Sequence, residues 1–261
     1  MFGVAWLAVQ RAVSVGAQLC RNAWWGLRWL VLENERTPNA YALTRRNRLQ
    51  LAAFVAAIGD LQIEAVLECI EELEGDKALR DHLRGGPPES SRLANTDSHY
   101  GRRAAAYALT RLGRPRTVVE TGVSDGLLGC VVAAALERNA AEGHPGFYFG
   151  LDPHPGAGRL LEGRYERHGW ILAGAPLEAL KEIEQVDLYV HSRRCSLEQE
   201  AREYETLQSR LSEGAVVLSS TAHENDALYD FTLARDRHYL YFAEEPFEHW
   251  YRGAGLGASF L

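Results

Sequence analysis

The chain has only four cysteines, Cys20, Cys69, Cys130 and Cys195, and none stands in a Cys-x-x-Cys pair. That scatter argues against a disulfide scaffold and against a zinc site, and it fits a reducing cytoplasm. Long apolar runs are missing too. Within residues 1–32 the longest charge-free stretch is 1–10, far short of the ~20 residues a transmembrane helix needs. The start lacks a basic segment and a clear small-x-small cleavage site, so no secretory signal is expected. Positive charge is in deficit: 28 Lys and Arg face 35 Asp and Glu, a net −7, which disfavours nucleic acid as a partner. No internal repeat and no low-complexity run is evident.

A hydrophobic fraction of 46% is ample for a packed core. Charge is unevenly placed. The first 48 residues hold seven arginines against Glu33 and Glu35, a net +5, which leaves −12 for the rest. In residues 1–32, Gln10, Arg11, Ser14, Gln18, Arg21 and Arg28 fall near one helical face, opposite a broad apolar face with Trp6, Trp24, Trp25 and Trp29 around it. Such a helix can lie in a membrane interface, dock on its own domain or pair with a second subunit. Packing is the expectation, as a homodimer, with peripheral membrane contact the lesser alternative. Further helical units are read over 45–58, 61–73 and 76–84. The sharpest break is 85–91, Gly-Gly-Pro-Pro-Glu-Ser-Ser. It divides a helical region, 1–90, serving as dimerisation element or cap, from a second domain, 91–261.

After the break, strand and helix alternate. Helices are read at 102–112, 127–141, 157–166, 177–184, 197–211 and 224–234. Strands are read at 117–121, 147–151, 170–173, 186–191 and 215–219, with closing strands at 238–243 and 254–260. Alternating βα units predict an α/β fold, a doubly wound and mostly parallel seven-stranded sheet with helices on both faces. In such sheets ligands lie beyond the carboxyl ends of the strands. The first strand runs into Glu120, followed by Gly122, Ser124 and Gly126 and then an Ala-rich helix. A glycine turn into a helix brings backbone N–H groups up to a ligand. E-x-G-x-x-x-G is looser than the dinucleotide fingerprint and is weak alone. The second acid strengthens it: Asp152 ends the next strand, where doubly wound folds bind a ribose diol.

With these residues the chain resembles a class I S-adenosylmethionine (SAM) dependent methyltransferase over about residues 98–261. The stretches 138–146 (Arg-Asn-Ala-Ala-Glu-Gly-His-Pro-Gly) and 249–255 (His-Trp-Tyr-Arg-Gly-Ala-Gly) are similar to a bacterial small-molecule branch. The resemblance implies a loop of Glu120, Gly122, Ser124 and Gly126 around the methionine part of SAM, and Asp152 on the ribose. An arginine near Tyr100, Arg102 or Arg103, with Arg103 preferred, would meet the SAM carboxylate. Three departures stand out. Ala175 occupies the place of an adenine-binding Asp. Ser192-Arg193-Arg194-Cys195 replaces an Asp-Ser-Asp-His turn, and Ser219-Ser220-Thr221 replaces Gly-Asp-Asn. Hard cations need carboxylate oxygens, so no metal is expected.

Methyl transfer to a hydroxyl needs a base. His223 is the candidate, and His249 is a candidate for lining the acceptor pocket. His191 reads as structural, and Cys195 lacks an identifiable partner base. The expected activity is metal-independent O-methylation of a small-molecule acceptor, in specialised metabolism or glycan tailoring. The alternative is a degenerate SAM fold that no longer transfers methyl groups and serves as partner subunit, scaffold or repurposed pocket. A nucleotide-dependent oxidoreductase is disfavoured because the three-glycine spacing is missing.

Overall fold

The computed structural model describes residues 41–85 and 99–261, with residue 16 and a helical segment at 23–31. Most of the tryptophan-rich helix read over 1–32, and most of the 85–91 break, therefore lie outside the described residues. Three helices come first: α1 (Arg45–Gly59), α2 (Ile63–Gly75) and α3 (Lys77–Gly85). Thr44 caps α1 by accepting from the Asn47 N–H, and Asp60 ends it in the left-handed region. The chain then alternates through α4 (Arg103–Gly113), β1 (Thr117–Thr121), α5 (Leu127–Ala141), β2 (Phe147–Asp152) and β3 (Gly169–Ala173). It continues with α6 (Pro176–Lys181), β4 (Val186–His191), α7 (Leu197–Gln208), β5 (Leu211–Ser219), α8 (Ala227–Leu233), β6 (His238–Ala243) and β7 (Gly255–Phe260).

The seven strands form one sheet in the order β3-β2-β1-β4-β5-β7-β6. The first five pair in parallel, and β7 is antiparallel to both β5 and β6. Two cores follow from the period-two alternation of the strands. Val118, Leu188 and Leu218 face one core, shared with α1, α2, α4 and α5. Val119, Tyr189 and Val217 face the other, under α6, α7 and α8. Because α5 is pressed between sheet and helices, small residues line it, and almost all of Leu127–Leu136 is buried. The N-terminal helices have no core of their own: Leu51, Val55, Ile70 and Leu73 belong to the same cluster as Ala105, Val131 and Tyr148.

The doubly wound sheet agrees with the alternation read from the sequence. One reading fails. Residues 157–166 are turns closed by a short 3-10 helix, Tyr165–His168, because Gly158 and Gly163 take positive φ of 74° and 62°.

Candidate functional site

The carboxyl ends of β1, β2, β4 and β5 meet at one edge of the sheet. Glu120 sits one residue before the end of β1 and is buried against the Tyr148 hydroxyl, which donates to it. Burial pushes its carboxyl up to about 8, although Tyr148, Ser192 and Arg103 pull the other way. Beyond it the chain turns through Gly122 (φ 84°), Ser124 (φ 55°) and Gly126 (φ 93°) into α5. Gly126 admits the backbone of Gly158, whose Cα would stand 3.0 Å from an added methyl group. Gly122 admits Arg193, whose Cβ would lie only 2.1 Å from one. The glycine spacing thus serves close backbone approach, and part of that approach comes from the β4 exit loop.

Asp152 closes β2 as expected. Its two oxygens accept from the Ser124 N–H (3.1 Å) and the His154 N–H (2.8 Å), which ties the second acid to the first loop. Arg103, Glu120, Gly122 and Ser124 line one cleft of about 90 Å³ together with Leu128, Ser192 and Ser220. Gly126 and Asp152 flank it. Arg102 is committed elsewhere: it donates through its N–H and its guanidinium to buried Glu244, which also accepts from the Tyr41 hydroxyl at 2.7 Å. Arg102 and Arg103 both line the cleft. A larger cavity of about 700 Å³ opens at the other, amino-terminal edge of the sheet, lined by Leu61, Arg114, Gln185 and Ser212. It lies away from the strand ends that doubly wound folds use.

His223 and His249 do not line the cleft. His223 lies in the turn after β5, its Nε2 3.4 Å from Glu224, which Arg194 pairs at 2.7 Å. His249 stands in the β6–β7 connection, accepts at Nδ1 from the Tyr251 N–H (3.0 Å) and stacks on Trp250.

Behind the edge lies a buried polar cluster that the sequence concealed. Along α7 the inward stripe is Glu200, Glu203, Tyr204 and Leu207, all buried. Glu203 meets His191 Nδ1 (3.0 Å), the Thr121 and Tyr189 hydroxyls, and Arg193 (2.8 Å). Glu200 accepts from Tyr204, Ser219, Thr221 and Asn225. Burial alone would depress the His191 imidazole, but Cys195, Glu203 and Glu200 outweigh it and lift it to about 9. Glu203 is held below the usual carboxylate range: burial opposes this, and His191 and Arg193 prevail. The signal was available: two acids occupy helical positions that the 3.6-residue period assigns to the core. Cys195 also needs correcting, since His191 Nε2 is 3.8 Å from its sulfur, a titratable neighbour that the sequence did not identify.

Residues 119–220 match the model of a family described as a methyltransferase domain. The match covers part of the chain, and over that part the chain is similar to this family. A solved structure agrees on the architecture. The O-methyltransferase TomG from Streptomyces achromogenes, solved in complex with SAM, is 14% identical with a TM-score of 0.53, covering 71% of this chain and 90% of that one. An O-methyltransferase from Bacillus cereus in complex with SAH is 13% identical with a TM-score of 0.48, covering 81% and 97%. Identities this low speak to fold alone. No curated protein matches the chain in sequence.

The residues at this edge fit S-adenosylmethionine in kind. Two acids, a left-handed glycine turn and an arginine converge at the right strand ends. They fit in size only in part, because the cleft is smaller than the ~300 Å³ at which small-molecule pockets begin.

Proposed function

We propose that the chain methylates a hydroxyl of a small-molecule acceptor, in specialised metabolism or glycan tailoring, without a magnesium-type ion. The observation that carries this reading is the convergence of Arg103, Glu120 and Ser124 on one cleft, with Asp152 fastened to the same loop. Arg103 is placed for the carboxylate of the methionine end, Glu120 for its ammonium, and Asp152 for the ribose. SAM supplies an electrophilic methyl group when bound. Binding and orientation fall to the β1 loop, where the Ser124 N–H donates to Asp152 and the Ser124 carbonyl accepts from the Gly158 N–H. His223 takes the acceptor proton in this reading. His249, tied at Nδ1, lines the acceptor side.

The edge has hydroxyls at Ser192, Ser220 and Thr221, and these cannot replace the charge a hard cation needs. The 23–31 helix leaves Trp24, Leu27, Leu30 and Val31 exposed, and a second copy of the chain is the proposed cover. No helix among the described residues is long and apolar enough to cross a membrane; a cytoplasmic location belongs to the same proposal. The test is calorimetric titration with SAM and its demethylated product, then mass spectrometry with hydroxylated acceptors. Binding with mass gain of one methyl group is expected. Binding without turnover would favour a fold that has lost transfer, and no binding would sink the reading of the cleft.

A further inference from the structure

We propose that His191, Cys195 and Glu200 form a binding site for a zinc-class divalent cation, one layer behind the methyl-transfer edge. One nitrogen, one sulfur and one oxygen of these side chains lie within 4.8 Å of one another. His191 Nε2 is 3.8 Å from Cys195 Sγ and 3.6 Å from a Glu200 oxygen. The second distance is too long for a hydrogen bond and the first is at the loose limit for sulfur. Both are close to the edges of a metal tetrahedron, about 3.3–3.6 Å for ordinary zinc–nitrogen, zinc–sulfur and zinc–oxygen bonds. A buried imidazole nitrogen thus faces two ligand-type atoms at a spacing that an ion between them would satisfy.

The supporting shell is already built. His191 Nδ1 is bonded to Glu203 at 3.0 Å, the arrangement that fixes a ligand histidine with its Nε2 lone pair toward a metal. Glu200 is oriented by the Tyr204 hydroxyl (2.6 Å), Ser219 (3.0 Å) and Asn225 (2.8 Å). His191 ends β4, Glu200 opens α7, and both are fully buried. Only Cys195, in the loop between them, is part-exposed. A donor set of imidazole, thiolate and a single carboxylate selects zinc over magnesium or calcium.

This site is distinct from the hard-cation site that Ser192 and Ser220 exclude, and it revises the expectation of a metal-free protein. It does not depend on the methyltransferase reading. Its consequence is mechanical: the ion fastens the loop that carries Arg193 over Gly122.

Chelator-stripped full-length protein, titrated with zinc alone and with cobalt(II) alone, tests the proposal. One equivalent should bind, and cobalt should give a tetrahedral spectrum with a thiolate charge-transfer band. Cys195→Ala, at a part-exposed position that leaves folding intact by circular dichroism, should abolish the band and weaken zinc binding by about tenfold or more. Cys69→Ala should change neither. Absence of stoichiometric binding, or a thiolate band that survives Cys195→Ala, would overturn it.

Discussion

Glu120 is a carboxyl whose pKa the fold raises by burial, and this has a direction in pH. Its folded value is raised from 4.5 to about 8, so the native state holds a proton that the unfolded chain releases. Its contribution to stability is full below pH 4.5 and is lost as pH rises toward about 8. His191 acts with the same sign between 6.5 and about 9, so comparison with a variant is needed to separate them. Glu120→Gln should flatten the fall in melting temperature between about pH 5 and 8, read by thermal denaturation across buffers. An unchanged slope would show that Glu120 is ionised throughout. Asp152 belongs to the same scale. Asp152→Ala should weaken SAM binding by about 1–3 kcal/mol, the cost of hydrogen bonds to a charged group, measured by calorimetry on protein of native circular dichroism. Glu120 and Asp152 were legible because strand ends followed by glycine or proline are marked in the sequence. Glu200 and Glu203 were not, because an acid on a helix reads as solvated until its neighbours at one-turn spacing are seen to be buried.

At the scale of elements, α7 concentrates the cost of that cluster. Removing one member of a buried charged set leaves the others unpaired. Glu203→Ala should therefore destabilise the protein by about 3–5 kcal/mol, seen as a lower urea midpoint at unchanged slope. A loss below about 1 kcal/mol, the scale of an exposed pair, would mean that Arg193 and His191 find water instead. Strands β1, β4 and β6 have the bounds read from the sequence, since β-branched and aromatic runs stop at breaks in pattern. Two regions differed for reasons that pattern does not carry. Residues 157–166 are apolar enough for a helix, but Gly158 and Leu160 donate to the carbonyls of Ser124 and Asp125 and fasten this segment to the first loop. Strand β5 begins at Leu211, not 215, because Gly214 takes a φ of 78° and the β4–β5 register shifts nearby.

At the scale of the whole molecule, α1 and α2 complete the core over α4 and α5. A chain cut at the 85–91 break exposes Ala105, Tyr107 and Val131. Deleting residues 1–85 should give insoluble protein or a collapsed state without near-ultraviolet dichroism. A soluble, cooperatively unfolding product would show that the α/β part stands alone. Sedimentation of the full-length protein checks the proposed homodimer, with twice the mass of 29.1 kDa expected. The sheet order has a further consequence for biosynthesis. Strand β7 is buried along its whole length between β5 and β6, yet the ribosome makes it after both. Until it emerges, β6 has no neighbour and β5 shows an open edge. The nascent chain must therefore wait with two of its seven strands out of place, and a chaperone that shields bare strands meets this protein late in its synthesis.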